Sequence, residues 1–232
     1  MGGLLVAVFA VAFAPAGLTR LALDQVNNVN LLEPAGTLWD GQGQLSVNGQ
    51  TLGKLTWDLQ VVTILSGALG YDFTLVGEDL DLHGNVRADW DQTYAVTANG
   101  RVGEAFINQL MAPYEMMISG DLNLNASTIE VAGRIPKAAG GTVTWDGGLV
   151  QYSLSGRKSA TELPAMVAEL GSGPEALVHE LHSESPLIIA ELQSNGFAKV
   201  GLTKRLTILL NNPWPGAAQA NDVILEVEEK VF

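Results

Sequence analysis

Apolar and polar residues alternate along most of this chain, and this period of two constrains its fold more than any other feature. In an extended strand successive side chains point to opposite faces, so alternation produces one apolar face and one polar face. The stretch KLTWDLQVV places on one side Leu55, Trp57, Leu59 and Val61. The same alternation recurs around Phe73, Leu82, Val86, Leu124, Ile129, Ile208 and Leu225. Strands are therefore predicted to dominate from Gly36 to the end of the chain.

Helical patterns are few and short. They are GEAFINQLM at 103–111, TELPAMVAEL at 161–170 and PEALVHELH at 174–182. With so few helices to cover the apolar faces, sheet must cover sheet. The predicted fold is all-β and mainly antiparallel: a strongly curved open sheet, half-barrel or sandwich-like, with an N-terminal transmembrane helix and a few short helices.

Two similar blocks, GTLWDGQGQL at 36–45 and GTVTWDGGLV at 141–150, lie about a hundred residues apart. Glycine suits turns with positive φ, while Thr and Trp suit a pleated surface. Each block is therefore predicted to form a strand, a tight turn and a second strand, as an internal repeat. Core packing is the favoured role for its tryptophans, and anchoring a partner or ligand is the alternative. The interaction or packing candidates are Trp39, Trp57, Trp145, Gly36, Gly41 and Gly147.

The N-terminal segment carries no charged residue from Gly2 to Thr19, and its core LLVAVFAVAFA is continuously apolar. That length approaches the roughly 17–20 residues that cross a bilayer as a helix. Residues 1–22 are predicted to be a membrane anchor, and residues 23–232 a β-domain. A cleaved signal peptide is the alternative, because AFA at 12–14 resembles a cleavage site. Pro15 directly after it, and the lack of a preceding basic residue, favour an uncleaved anchor.

Composition excludes several functions. The 12 Lys and Arg against 25 Asp and Glu give a net charge of −13, which repels polyanions, so nucleic acid is not an expected partner. The chain has no cysteine, and its 3 histidines leave little general-base capacity at neutral pH. In HELH at 179–182 the histidines are three residues apart, whereas the zinc-protease helix needs four. No catalytic residue, cofactor site or metal site is predicted, and the chain is not expected to be an enzyme.

The order of several segments resembles one protein family. An apolar N-terminus followed by PAG, GTLWDGQGQL, LGKLTWDLQVVTILSGALGYDF, GDLNLN and GGTVTWDGGLVQYSL is similar to protein N of the bacterial type II secretion system. The resemblance implies a single-pass inner-membrane protein with a periplasmic β-domain. It also implies a non-catalytic role in the export of folded proteins. The expected partners are other type II secretion components in the inner membrane and periplasm.

A different function remains open from the sequence. The resemblance also suggests the curled sheets of AsmA-like and lipid-transport periplasmic proteins. In that alternative the β-domain is a lipid-binding or lipid-handling trough, and lipid is a further partner. An acyl chain in such a trough would be held by roughly 0.8 kcal/mol per methylene.

Overall fold

The computed structural model describes residues 29–230 except 48, 133, 134, 155, 172 and 174, so the predicted membrane anchor lies outside the described residues. None of the helices within those described ranges has the length and hydropathy to cross a membrane. The strands are β1 (Val29–Gly36), β2 (Asp40–Val47), β3 (Gln50–Leu59), β4 (Ala68–Val76), β5 (Leu80–Asp89), β6 (Thr93–Val102), β7 (Met116–Ile118), β8 (Leu122–Ala132), β9 (Ile135–Trp145), β10 (Gly148–Leu154), β11 (Arg157–Leu163), β12 (Met166–Leu170), β13 (Glu175–Glu180), β14 (Pro186–Leu192), β15 (Phe197–Thr203) and β16 (Val223–Lys230). The helices are α1 (Val61–Leu65), α2 (Glu104–Met111) and α3 (Lys204–Leu209), with a 3-10 turn at Ala112–Tyr114.

The prediction of an all-β, mainly antiparallel fold is confirmed, because strands dominate and pair antiparallel. The chain divides into two compact units, the first ending at Trp90 and the second beginning at Asp91.

In the first unit the strands are hydrogen-bonded in the order β1-β2-β3-β4-β5. The register aligns Gly41 with Trp57 and Trp57 with Phe73, whereas Asp58 aligns with Asp72. Residues aligned across antiparallel strands share a face of the sheet, so one face of this sheet is apolar and the other polar. The alternation in the sequence predicted this arrangement.

The second unit has two sheets. The larger has the order β6-β8-β9-β12-β13-β14-β15-β16, and the smaller has the order β11-β10-β7. The larger sheet contributes Trp145 and Met166 to a core that also receives Val150 and Tyr152 of β10 and Leu206 of α3. One end of the apolar face of the larger sheet is therefore covered by the small sheet and α3.

In the second unit one predicted helix is confirmed, whereas two other predicted helices and one predicted strand are wrong. GEAFINQLM forms α2 as expected, whereas the segments at 161–170 and 174–182 are strands. Pro164 separates β11 from β12, as expected for a residue that lacks an amide donor and disrupts a helix interior. Conversely, Leu206 to Leu210 was predicted as strand and lies mostly in α3. Its spacing of three and four residues places Leu206, Leu209 and Leu210 together against the core.

Candidate interaction surfaces

The first Gly-Thr-Trp block contains the turn between β1, which ends at Gly36, and β2, which begins at Asp40. Thr37 and Trp39, which were predicted on a pleated surface, lie in this turn instead. Thr37 closes this turn, because its amide donates to the carbonyl of Asp40 at 2.7 Å and its hydroxyl oxygen accepts from the Asp40 amide at 3.0 Å. Gly36 has φ +91°, and a Cβ there would lie 2.6 Å from the Asp40 carbonyl oxygen. Glycine is thus required at this turn by both conformation and space. Trp39 lies in the turn and is half-buried.

Trp57 lies on the apolar face of the first unit with its side chain buried. Its indole Nε1 donates to the carbonyls of Thr37 and Leu38 at 3.3 and 3.2 Å. Gly41 lies directly against the ring, since a Cβ there would be 2.5 Å from Cζ2 of Trp57. The indole therefore packs against the backbone of β2 and hydrogen-bonds the turn beside it.

The second block has a different topology from the predicted return turn. β9 ends at Trp145 and β10 begins at Gly148, but β9 pairs with β8 and β12 whereas β10 pairs with β7 and β11. Asp146 and Gly147 therefore carry the chain from the larger sheet to the smaller one. A Cβ at Gly147, where φ is +86°, would lie 2.7 Å from the Leu163 carbonyl oxygen. Trp145 is buried, and its Nε1 donates to the Ser119 carbonyl at 2.8 Å.

These contacts show where the predicted site residues lie. The indoles of Trp57 and Trp145 are both buried and hydrogen-bonded within the protein, each in its own unit. The choice between a packing role and an interaction role for the candidate residues stays a prediction.

Sequence reasoning missed a surface on α1, where strand was expected to continue through Val61. The helix exposes 66% of Val61, 77% of Val62 and 88% of Leu65. Trp90, also largely exposed, lies beside Gly67, two residues beyond the helix. We refer to Val61, Val62, Ile64, Leu65 and Trp90 as the α1 patch. Contiguous exposed apolar residues of this kind mark interaction sites on soluble proteins.

Hydrogen bonds of polar side chains fasten α1 to its sheet. The Thr63 hydroxyl donates to the Gln60 carbonyl at 2.6 Å and accepts from the Gly70 amide at 2.8 Å. The Gln60 side-chain amide also donates to Asp72 Oδ1 at 2.6 Å. The helix thus turns its one polar side chain toward β4 and leaves Val61, Val62 and Leu65 largely exposed, which reverses the usual arrangement of a surface helix.

The second unit has an apolar concavity of about 300 Å³ on the part of its larger sheet that the small sheet does not cover. Small side chains leave the space open. Among the lining residues are Ile129, Ala139, Leu170, Ala176, Ala190, Leu192 and Ala198. The register places these residues on the same face as the core residues Trp145 and Met166.

The opposite face of the same sheet is acidic along its last four strands, β13 to β16. The register aligns Glu175 with Glu191, Glu191 with Lys199 and Lys199 with Glu228. Lys199 Nζ lies 2.9 Å from Glu226 Oε2, and this hydrogen bond raises the pKa of the lysine. We refer to Glu175, Glu191, Lys199, Glu226 and Glu228 as the acidic ladder. It contains one ammonium group and four carboxylates.

The two histidines of HELH lie on or next to β13. His179 lies in β13, where its Nε2 is 3.4 Å from Glu169 Oε1, and His182 follows the strand. Across the described part of the chain, no three His, Asp or Glu side chains are grouped so that they could hold a metal ion.

Comparison with known proteins identifies the family. The family model for type II secretion system protein N matches residues 27–208, which run from just before β1 almost to the end of α3. Neither the curated proteins nor the solved structures contain a significant match. The match confirms the resemblance carried by the repeated blocks and the segments between them. The chain belongs to the type II secretion system protein N family.

Proposed function

We propose that this protein is a non-catalytic component of the type II secretion apparatus that acts through protein contacts in the export of folded proteins. Family membership supports participation in type II secretion. The observation that carries the contact role is the α1 patch, because apolar side chains face away from the protein while Thr63 and Gln60 hold the helix in place. Apolar side chains exposed to water are unfavourable, so a partner that covers the α1 patch would gain free energy by burying it.

The same proposal includes the location of the protein. Residues 1–22 hold it in the inner membrane and residues 23–232 lie in the periplasm, where the strands form a strongly curved open sheet. Support comes from the uncharged apolar run between Gly2 and Thr19 and from the family. A reporter enzyme that is active only in the periplasm, fused after Phe232, tests this topology. We expect activity from this fusion and none from a cytoplasmic reporter at the same position, and the reverse result would refute the topology.

Crosslinking in cells tests the contact role. A photoreactive residue at Leu65 or Val62 should capture another component of the secretion apparatus, identified by mass spectrometry. The variants Val62→Asp and Leu65→Asp should reduce export without lowering the amount of folded protein. Val76→Asp is the matched control, because Val76 is an exposed valine of β4 in the same unit. Normal export by both α1 variants, together with no capture of a secretion component, would exclude this contact.

The apolar concavity favours lipid handling as a second candidate function. Most of its lining is Ala, Leu and Ile, with Glu175 and Glu191 also contributing, and this apolar lining suits an acyl chain, which gains roughly 0.8 kcal/mol for each buried methylene. Native mass spectrometry of the purified protein should then show a stoichiometric lipid. Ala190→Phe fills the concavity and should abolish lipid binding, whereas Ala160→Phe, at an exposed position of the small sheet, should leave lipid binding unchanged. Consistent absence of lipid from the unmodified protein would remove this candidate.

A further inference from the structure

β16 ends the larger sheet of the second unit with one edge open. It is the last strand in the order and pairs only with β15 among the described strands. All its residues except Ile224 are exposed. A strand paired on one side presents a row of amide and carbonyl groups on the other, and an extended peptide can satisfy them. This strand also lies beyond residues 27–208, which the family model matches.

The apolar side of β16 is incompletely covered. Leu225 and Val227 align with Leu202 and Val200 and continue the apolar face outward. Because no described strand follows, they remain 45% and 51% exposed. An added strand with apolar side chains on this face would cover them.

The other side of β16 carries the outer end of the acidic ladder. Lys199 pairs with Glu226 and aligns with both Glu228 and Glu191, and Lys230 lies two residues after Glu228 on the same side of the strand. Opposite charges directly across neighbouring strands stabilise the pair, and like charges destabilise it. A strand that places cations beside Glu226 and Glu228 would therefore relieve the excess of negative charge.

We propose that the open edge of β16 receives an extended segment of a partner protein in which apolar residues alternate with Lys or Arg. The apolar residues lie over Leu225 and Val227, and the basic residues lie beside Glu226 and Glu228. A second copy of this chain fits less well, because antiparallel pairing centred on Val227 would align Glu226 of one copy with Glu228 of the other. The inference rests on the proposed contact role but assigns a surface separate from the α1 patch.

Peptide binding to the purified full-length protein tests this edge. The probe is a fluorescent peptide of alternating Val and Lys. Its controls are a peptide of alternating Val and Glu, and a Val and Lys peptide that is N-methylated on the amides that would face β16. We expect the basic peptide to bind, to protect the β16 amides from hydrogen exchange, and to bind more tightly as salt is lowered. The acidic and N-methylated peptides should bind poorly, because one has the wrong charge and the other cannot pair with the edge.

Charge reversal supplies the decisive variants. The double variant Glu226→Lys with Glu228→Lys should lower the affinity for the basic peptide by about tenfold or more and raise the affinity for the acidic peptide. The reason is that attractions between charges across the strands become repulsions. Glu162→Lys with Glu184→Lys makes the same change in net charge at exposed glutamates outside β16 and should leave both affinities unchanged. The proposal would be overturned if the two double variants bound the basic peptide equally well, or if the N-methylated peptide bound as tightly as the unmodified one. Dimerisation through β16, measured by sedimentation, would also overturn it. Crosslinking from Leu65 is independent of this assay, so failure at β16 leaves the proposed function intact.

Discussion

Trp57 shows how one residue can join a strand to a turn. Its ring covers the backbone of β2 at Gly41, and its Nε1 hydrogen-bonds two carbonyls of the preceding turn. The absence of a side chain at Gly41 creates the space that the indole fills. A glycine and a tryptophan distant in sequence thus act as one packing unit.

We predict that Trp57→Phe destabilises the protein by about 1–3 kcal/mol, because it removes the indole donor and leaves the carbonyls of Thr37 and Leu38 without it. Urea unfolding followed by circular dichroism measures the change. Trp90→Phe is the control, since Trp90 is largely exposed in the same unit, and we expect a change within about 0.5 kcal/mol. Similar losses in the two variants would show that the buried contacts of Trp57 contribute nothing specific.

Asp121 organises the start of α2. It accepts from Arg101 Nη1 at 2.8 Å and from the Glu104 amide at 2.9 Å, and these hydrogen bonds lower the pKa of its carboxyl group. A lowered folded-state pKa stabilises the fold above the unfolded pKa of about 4, and that contribution disappears as the pH falls through the folded-state value.

We therefore predict that Asp121→Asn lowers stability at pH 7 and that the difference from the unmodified protein narrows as the pH falls below about 4. The loss should stay below about 1 kcal/mol, because solvent screens this partly exposed pair. Unfolding curves between neutral and acid pH measure it, with Asp146→Asn in the exposed link after β9 as the control. A difference in unfolding free energy between Asp121→Asn and the unmodified protein that does not change with pH would contradict the role assigned to the Asp121 charge.

At the scale of elements, the alternation of apolar and polar residues predicted a strand well where the neighbouring strands in the sheet alternate in the same way. Trp57 in β3 and Phe73 in β4 are an example, because they align with each other. The sequence did not predict β13, because PEALVHELH has good helix formers. Pairing with β12 and β14 on both sides outweighs that preference. The α1 patch could not be found from the sequence either, because a run of apolar residues does not show which side a short helix turns to its sheet. Only the hydrogen bonds of Thr63 settle this.

The alignment of Glu175 with Glu191 places like charges directly opposite on β13 and β14. We predict that Glu175→Lys stabilises the protein by about 0.2–1 kcal/mol by converting a repulsion across the strands into an attraction. Glu162→Lys is the control, because Glu162 of β11 aligns with uncharged Leu149. Urea midpoints at low and high salt measure both variants. A gain that persists unchanged at high salt would point to a cause other than charge.

At the scale of the whole molecule, each unit has an apolar sheet face, and in the second unit that face is used in two ways. One end forms the core with the small sheet and α3, and the other end remains open as the apolar concavity. The covered end packs against the small sheet, while the open end stays accessible.

Leu206 tests how far this cover depends on α3. It is buried in the core beside residues of both sheets, whereas Ile208 on the same helix is half-exposed. Leu206→Ala should destabilise the protein by about 2–5 kcal/mol, because it removes buried methyl groups and leaves a cavity between the layers. Ile208→Ala should cost no more than about 0.5–1 kcal/mol. Urea unfolding gives the free energies, and hydrogen exchange locates the change, which we expect as faster exchange in β7, β10 and β11 for Leu206→Ala alone. The Tyr152 hydroxyl also donates to the carbonyl of Leu210, the residue directly after α3, at 2.7 Å. If the small sheet keeps its full protection in Leu206→Ala, α3 does not hold the small sheet against the larger one.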